Sequence, residues 1–443
     1  MFEFDDRFIE QAVDVEVQRL EAAGAQRGDS LGWLALNDPR ALALLRACTR
    51  LGLRFVPLNW RLTAHELAAI VRHAGLQQLW HDEAMRRLAD EVRARAAIPE
   101  PAAPGHRSGD VMLVYTSGTT GTPKGAIHTV TGMQANVVAA IDAQGFDART
   151  RTLAALPLFH VGGLCIQVLP TLAAGGMVRL HPRFDAAAWL RDVAQWKPTT
   201  SLLVPAAMRA LVEHPDWPDT DLSSLAFINT GSSIVPRSLI DAFHARDVPV
   251  CQVYGATETG PVTIVLRPSE ARDHPGMAGR PASGVEVRLV KGEVWVRGPN
   301  VARGYHREPD AQAFAEGWFR TGDLAHRHAD GLYEIVGRCK ELIISGGENI
   351  HPAEIENLVL GDPAVADAAV VGLPDPQWGE VPVLAVVARV GAVIDEARLQ
   401  LLFVERLARF KHPRRIVVLD ALPRTALGKV QRALLGQTLA GAP

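Results

Sequence analysis

The sequence is poor in cysteine and has no long apolar run. Its cysteines, Cys48, Cys165, Cys251 and Cys339, lie far apart without a CxxC pair, so their spacing indicates neither a disulfide framework nor a zinc site. No apolar run approaches the ~20 residues that a membrane helix requires. The acidic start "MFEFDDRFIE" has no signal-peptide core. These absences predict a cytoplasmic protein without a transmembrane segment.

An excess of charge of either sign is also missing. Lys and Arg together number 46 against 49 Asp and Glu, a net charge of -3, and this balance argues against a dedicated nucleic-acid binder. The chain has 443 residues, of which 48% are apolar and 21% are charged. These values are typical of a globular protein with roughly two or three domains.

The first part of the chain alternates helical and strand-like segments. "ALALLRACTRLG" has helical spacing and ends at Gly52, and "RFVPLN" reads as a short strand. "AHELAAIVRHAG" predicts a helix with Thr63 as N-cap and Gly75 at its end, and "QQLWH" a buried strand. Such alternation predicts an α/β fold in which helices cover the sheets.

A second unit is indicated near the C-terminus. "VGRCKELIISGGENIHPAEIE" is followed by two strand-like segments, "AVADAAVVGL" and "VPVLAVVARV", and by the helical "DEARLQLLFVERLARF". About a hundred residues are enough for a small domain of its own. We therefore predict a large N-terminal domain over residues 1–337 and a small, mobile α+β domain over residues 338–443.

The stretch "YTSGTTGTPKG", Tyr115 to Gly125, follows an apolar strand and combines hydroxyls, glycines and Lys124. Glycines let backbone N–H groups approach an anion, and a lysine adds a mobile positive charge. It is not a Walker A loop, because Pro123 precedes the lysine and Gly125 follows it. The sequence thus predicts a phosphate-holding loop of another kind; the alternative is a flexible surface loop.

This loop resembles the signature of the adenylate-forming superfamily of acyl-CoA synthetases, peptide-synthetase adenylation domains and luciferases. Further motifs of that superfamily follow in its order: "LPLFHVGG", "YGATETG", "GWFRTGDLA", "GRCKELIISGGENIHPAEIE" and "LPRTALGKVQR". The resemblance covers roughly residue 30 to the end. It implies an AMP-forming acid–thiol ligase that uses ATP, Mg²⁺ and coenzyme A as co-substrate.

The resemblance also implies roles for the nucleotide-binding residues. Tyr254 would stack on adenine, Thr257 would contact the α-phosphate and Glu258 would hold Mg²⁺; the alternative is a polar turn after a strand. Asp323 would accept both ribose hydroxyls, and Arg338 would reach the ribose or the α-phosphate. The remaining nucleotide contacts would come from Thr116, Ser117, Gly118, Thr119, Thr120, Lys124, Gly231, Ser232 and Gly255.

Lys429 lies in "ALGKVQR" and, without context, would be a solvated surface lysine. The matching lysine of the superfamily bridges the carboxylate and the α-phosphate during adenylation. In the second step the small domain would rotate at Lys340 and present a pantetheine tunnel at Gly346 and Gly347. A hairpin turn is the alternative for this glycine pair. The eight Lys and Arg residues between positions 406 and 432 would suit CoA phosphates, or form a solvated face.

The acyl pocket would be lined by His160, Gly162, Gly163, Met208 and Ala256. His160 is predicted as an aromatic gate without acid–base chemistry, and a core histidine is the alternative. The pocket segments contain no Arg or Lys, which favours an apolar acid, either aryl or cinnamate-like or a fatty acid. The position of His160 holds an Asp in amino-acid activators, so an α-amino acid is disfavoured.

Two alternatives remain for the function: an o-succinylbenzoate-type CoA ligase, and a binding protein that holds AMP or an acyl-adenylate without turnover. No carrier segment follows Lys429, so we expect free CoA as the thiol acceptor. The start of the N-terminal domain is shorter than is usual in the superfamily. A partner subunit would cover such an edge, and a homodimer is therefore one expectation.

Overall fold

The computed structural model describes residues 1–96, 107–116, 124–231, 235–308, 312–345, 348–425 and 428–441. Its helices are α1 (Asp6–Ala22), α2 (Arg40–Leu51), α3 (Ala64–Ala74), α4 (Arg86–Ala96), α5 (Val130–Gln144), α6 (Leu169–Ala173), α7 (Ala186–Trp196), α8 (Pro205–Val212), α9 (Arg237–His244), α10 (Pro352–Val359), α11 (Glu396–Arg406) and α12 (Arg432–Gly441). Its strands are β1 (Phe2–Phe4), β2 (Ser30–Leu34), β3 (Arg54–Pro57), β4 (Gln78–His81), β5 (Asp110–Thr116), β6 (Lys124–Thr129), β7 (Arg151–Ala154), β8 (Met177–Leu180), β9 (Thr200–Leu203), β10 (Phe227–Gly231), β11 (Val250–Tyr254), β12 (Ile264–Val265), β13 (Arg280–Pro281), β14 (Glu286–Val290), β15 (Glu293–Arg297), β16 (Phe314–Ala315), β17 (Trp318–Arg327), β18 (Tyr333–Arg338), β19 (Ile343–Ser345), β20 (Glu348–Ile350), β21 (Val365–Asp375), β22 (Gly379–Ala388) and β23 (Arg415–Val418).

The largest sheet has eight strands in the order β1-β8-β7-β9-β10-β11-β12-β13. Its centre, from β8 to β11, is parallel, and helices α7, α8 and α9 pack their apolar sides on it around the fully buried Trp189 and Phe243. Parallel strands need crossover connections, which the chain supplies as helices. The carboxyl ends of β10 and β11 consequently meet at one edge, where open α/β sheets bind ligands.

A second sheet of the large domain has the order β4-β2-β3-β5-β6. Helix α2 ends at Gly52 and α3 at Gly75, both in the left-handed conformation, and Thr63 caps α3 in a capping box with Glu66. These ends are as predicted, because the capping signals are local. The "QQLWH" strand is half-buried rather than buried, because β4 is an edge strand of this sheet.

A third sheet, β14-β15-β17-β16 with β18 beside β17, completes the large domain. The chain then passes through a short 3₁₀ turn, Cys339–Glu341, and β19 already belongs to the sheet of the small domain. The predicted fold, a large α/β domain followed by a small one, is confirmed. The boundary at residue 338 and the hinge at Lys340 stay predictions.

The small domain is built on the long antiparallel pair β21–β22, with β19, β20 and β23 beside it. Its two predicted strands and its helix α11 are present, and buried side chains such as Ile355, Leu384 and Phe403 join them into one core. Within the parts of the chain that the structure describes, none of the helices has the length and hydropathy that a bilayer crossing would need.

Candidate active site

The floor of the site is formed by the ends of β10 and β11, where Gly231 and Tyr254 lie. A Cβ atom on Gly231 would approach the carbonyl oxygen of Val253 to 2.4 Å, and one on Gly255 would approach that of Pro261 to 1.7 Å. Only glycine fits such close backbone packing. At Gly231 and Gly255, both predicted to contact the nucleotide, glycine is therefore required by backbone packing. The absence of side chains at these two positions also leaves the strand ends uncovered.

Asp323 is buried and receives partners from two other strands. The Tyr254 hydroxyl donates to its Oδ2 over 2.9 Å, and Arg338 Nε lies 2.8 Å from its Oδ1. Desolvation raises the pKa of the Asp323 carboxyl, and the charge of Arg338 limits this rise. Burial, with the negative charge of Asp323, raises the pKa of Tyr254 well above its ordinary value, so the phenol stays a hydrogen-bond donor.

Lys429 comes from the small domain and joins this group. Its ammonium interacts electrostatically with Arg338, Asp323 and Glu258. The residue is exposed to water, but it lies in a cleft whose walls remove part of its hydration. This desolvation, followed by the positive charge of Arg338, lowers the pKa of Lys429, while the two carboxylates oppose the change.

Glu258 occupies a single 3₁₀ turn, Thr257–Thr259, which begins three residues after the last residue of β11. Its side chain is buried, and the Tyr305 hydroxyl donates to its Oε1 over 2.6 Å. The turn is anchored further because the Ala302 N–H donates to the Glu258 carbonyl over 2.7 Å. Glu258 is thus a buried carboxylate of fixed position within electrostatic range of Lys429.

Strands β5 and β6 carry the predicted phosphate loop between them, and Thr116 lies opposite Lys124. The ammonium of Lys124 lies 2.7 Å from Glu308 and 5.1 Å from the centre of the Tyr305 ring. The cation predicted to hold phosphate is therefore paired with protein groups. Four residues of the predicted loop, and one after β10, lie outside the described residues: Ser117, Gly118, Thr119, Thr120 and Ser232.

His160 precedes a π-helical turn, Gly162–Val168, and is half-buried. Desolvation, then the charges of Lys429 and Arg61, lowers its pKa to about 4, so the imidazole is neutral at neutral pH. A Cβ on Gly162 would meet nothing within 4 Å, whereas one on Gly163 would lie 2.3 Å from the Pro157 oxygen. Open space therefore exists at Gly162, and Gly163 is required by close packing.

One predicted pocket residue is located elsewhere. Met208 has 0% of its surface exposed and packs on the inner side of α8 with Leu203 and Leu211. We therefore correct its assignment: it is a core residue, since the helical period turns it toward the sheet. Ala256 does reach the site, because it directly precedes the turn that carries Glu258.

The region of the predicted hinge is tied to the end of the chain. Arg432, three residues after Lys429, lies 3.0 Å from Glu341 and 2.6 Å from Glu356. Lys340 is exposed in the 3₁₀ turn. Gly346 and Gly347, the predicted tunnel residues, lie outside the described residues. These ion pairs hold the first residue of α12, and with it the end of the loop that carries Lys429.

Sequence reasoning missed Tyr305 and Glu308, which contact Glu258 and Lys124. They belong to "NVARGYHREP", which contains no pattern that points to either partner. Tyr305 reaches the site because it pairs with Ala126 of β6 in an isolated bridge, a contact between residues far apart in the chain.

Comparison with known proteins agrees with this geometry. The family model "AMP-binding enzyme" matches residues 17–306, and "AMP-binding enzyme C-terminal domain" matches residues 354–429. The chain belongs to the AMP-binding enzyme family. Its C-terminal match ends at the lysine that enters the cleft.

Relatives in this family are CoA ligases. The chain is 41% identical to indoleacetate–CoA ligase of Aromatoleum aromaticum over 95% of this chain and 90% of that protein. It is 38% identical to a feruloyl-CoA synthase of Amycolatopsis sp over 93% and 89%. The o-succinylbenzoate CoA synthetase of Bacillus subtilis, solved with its acyl-adenylate, superposes with a TM-score of 0.85 at 30% identity, covering 96% of this chain and 92% of that one.

These findings confirm the predicted superfamily and the prediction of an AMP-forming acid–thiol ligase. They also agree with the predicted reactants, because a related synthetase structure contains ATP and a magnesium ion and the relatives are named as CoA ligases. Among the described residues, no cluster of three or more His, Cys, Asp or Glu side chains forms a metal site.

Proposed function

We propose that this ligase activates an apolar aryl acid as its acyl-adenylate and transfers the acyl group to coenzyme A. The observation that carries the proposal is the position of Lys429. A lysine of the small domain lies in a cleft of the large domain, within electrostatic range of Asp323, Arg338 and Glu258. A protein that only binds AMP would not need this cation between the two domains.

In the first step, a carboxylate oxygen attacks the α-phosphorus of ATP. The bond from that phosphorus to the bridging oxygen breaks, and pyrophosphate leaves with the electron pair. Two anions must approach each other, so positive charge at the reacting centre lowers the barrier. Lys429 would supply that charge, Thr257 would contact the α-phosphate, and Asp323 would hold the ribose hydroxyls, with Tyr254 against adenine.

Glu258 fits the demands of Mg²⁺. This ion prefers hard oxygen ligands and usually combines one or two carboxylates with substrate phosphates and waters. A single buried carboxylate, oriented by the Tyr305 hydroxyl, matches that ligand set better than a cage of several acids. When bound, the ion would neutralise phosphate charge, while Lys124 and Thr116 would hold the phosphates that leave.

In the second step, the thiol sulfur of CoA attacks the acyl carbon, AMP leaves, and the thiol proton is released. Sulfur needs the space that Lys429 occupies, which supports a rotation of the small domain at Lys340 between the steps. Gly346 and Gly347 would border the pantetheine arm. The basic residues between positions 406 and 432 would face the CoA phosphates.

The acid is proposed to be apolar and aromatic. His160 is neutral in the ligand-free protein, since its pKa is lowered to about 4, so it brings no positive charge for a second carboxylate and does not replace the Asp that binds an amino group. A Cβ atom on Gly162 would meet nothing within 4 Å, and we propose that this open space receives the ring of the acid. Two relatives are named for indoleacetate and ferulate, which favours aryl over fatty acids.

A second candidate is an acid with an additional carboxylate, as in the o-succinylbenzoate relatives. The observation that favours it is Arg61, whose positive charge acts on His160. The Arg61 guanidinium would pair with the second carboxylate of such an acid. This candidate shares the adenylation chemistry, and it differs only in the group that the far end of the pocket receives.

A panel of acids tests the proposal. Pyrophosphate release is measured with ATP and Mg²⁺ for aryl acetates, cinnamates, medium-chain fatty acids, o-succinylbenzoate and α-amino acids, before and after CoA is added. We expect the highest kcat/KM with an aryl acid and a CoA thioester as product. Preference for an amino acid would contradict the pocket assignment, and nucleotide binding without pyrophosphate release would support the non-catalytic alternative.

Location and assembly are part of the same proposal. All four cysteines are free thiols, which suits a reducing cytoplasm. A homodimer is supported by the exposed aromatic side chains of Phe2 and Phe8, on β1 and α1 at one edge of the large sheet. Light scattering of the wild type and of Phe8→Ser would test it, because the substitution should weaken such an interface.

A further inference from the structure

The pairing of strand β17 with strand β15 is interrupted at residues 321–323, a segment that ends with Asp323. Regular pairing stops at Arg320 and resumes at Leu324, so three residues of β17 lie opposite a single residue of β15, Val294. Such a bulge re-aims side chains relative to regular strand alternation. Here it directs the Asp323 carboxylate to the Tyr254 hydroxyl.

The backbone donors of the bulge are satisfied by side chains. Gly322, with φ +71°, donates its N–H to Glu293 Oε1 over 3.1 Å. The Asp323 N–H donates to Thr321 Oγ1 over 3.0 Å, and the Thr321 hydroxyl donates to the Val294 oxygen over 2.8 Å. The conformation of the bulge therefore depends on one hydroxyl and one carboxylate.

That carboxylate is itself held in place. Trp295 Nε1 donates to Glu293 Oε2 over 2.8 Å, and an Arg320 nitrogen lies 3.7 Å from the same oxygen. The Arg320 guanidinium also lies over the Trp295 ring, 5.0 Å from its centre. Only 15% of the Glu293 side chain is exposed. A carboxylate with both oxygens engaged and little exposure has one fixed orientation.

We propose that Glu293 is a positioning residue for nucleotide recognition. It holds the bulge of residues 321–323 so that Asp323 meets the ribose with both carboxylate oxygens. The inference rests on the proposed function, in which Asp323 binds the ribose hydroxyls. Removing the Glu293 carboxylate leaves the Gly322 N–H without its acceptor, which costs more than the loss of an exposed bond. The bulge then relaxes, and the Asp323 carboxylate loses its alignment.

The test compares ATP with 2′-deoxy-ATP as substrates of pyrophosphate release. Loss of one ribose hydroxyl matters only to an enzyme whose carboxylate is aligned with it, so the ratio of kcat/KM values reports the alignment. We expect Glu293→Ala to shrink the wild-type preference for ATP by about tenfold, as removal of a buried hydrogen-bond partner does. Glu293→Gln retains a carbonyl oxygen for Gly322 and should keep most of the preference.

The matched control is Glu286→Ala, which removes an exposed carboxylate of β14 that pairs with Arg297 and should leave the ratio unchanged. Asp323→Ala separates the positioning role of Glu293 from the ribose role of Asp323. If it abolishes the preference while Glu293→Ala keeps the wild-type ratio, the positioning role is wrong. If Asp323→Ala also keeps that ratio, the proposed ribose role of Asp323 itself is wrong. Should Glu293→Ala not fold, an unchanged ratio in Glu293→Leu would equally overturn the inference.

Discussion

The proposed nucleotide site has a ribose end at Asp323 and a phosphate end at Lys124, and the two ends are built differently. At the ribose end, Asp323 is buried and receives Tyr254 and Arg338 from neighbouring strands, so its position is set before any ligand arrives. At the phosphate end, Lys124 is paired with Glu308, and this partner must give way to phosphate. If Asp323 binds the ribose and Lys124 the phosphates, as proposed, ribose recognition is pre-organised, whereas phosphate recognition exchanges one ion pair for another.

The largest effect on activity is expected for Lys429, which would act at the α-phosphate, between the ribose end and the phosphate end. Lys429→Ala should lower the rate of pyrophosphate release about 10²- to 10³-fold, because it removes charge stabilisation at the reacting phosphorus. ATP binding, measured by calorimetry, should change little. Lys291→Asn is the matched control: it removes an exposed lysine from a turn with positive φ, which Asn tolerates. Unchanged turnover in Lys429→Ala would refute the assignment.

A pH profile sharpens the same point. Because the pKa of Lys429 is lowered by desolvation and by Arg338, the lysine loses its proton at a lower pH than an ordinary lysine does. The adenylation rate should therefore decline with rising pH within the alkaline range. Lys429→Arg keeps its charge there, so its rate should be lower at neutral pH but free of this decline. A decline that persists in Lys429→Arg would assign it to another group.

Tyr305→Phe should weaken Mg²⁺ binding at the phosphate end and leave recognition of the ribose unchanged. It removes the hydroxyl that orients Glu258 and keeps the ring beside Lys124. Loss of such an orienting partner typically weakens metal affinity at least tenfold, so we expect the Mg²⁺ concentration for half-maximal rate to rise about tenfold. The preference for ATP over 2′-deoxy-ATP should stay as in the wild type. Tyr333→Phe, the same change in β18, serves as control.

The smallest effect has the opposite sign. Glu308→Gln frees Lys124 from its ion pair, which is partly exposed and so worth about 0.2–1 kcal/mol. The KM for ATP should then fall by a factor of about 1.4 to 5. A rise in KM would mean that Glu308 assists phosphate binding, and the contrast between the two ends would be lost.

Much of the fold could be predicted from local sequence motifs. Thr63, Gly52 and Gly75 mark helix ends through capping chemistry that depends on a few neighbouring residues, and α11 lies where its period predicted it. The degree to which each strand is buried could not be predicted from such local signals. The strand β4 is half-buried because it lies at a sheet edge, and sheet order is a property of contacts between distant segments.

For the site, the sequence by itself determined which chemical groups are present: a glycine and hydroxyl loop with Lys124, an acidic turn at Glu258, and a lysine near the end of the chain. The order of these motifs along the chain was sufficient to identify the family. Each motif is a local backbone conformation with its own hydrogen-bond donors, so it can be recognised from adjacent residues alone.

Only the tertiary structure decided how these groups are held. Tyr305 on Glu258, Glu308 on Lys124 and Glu293 under the bulge of Asp323 are contacts between residues far apart in sequence, and Met208 proved to be core. A side chain's partner depends on strand register and on which face of a helix is buried, and these follow from packing of the whole domain rather than from any single segment.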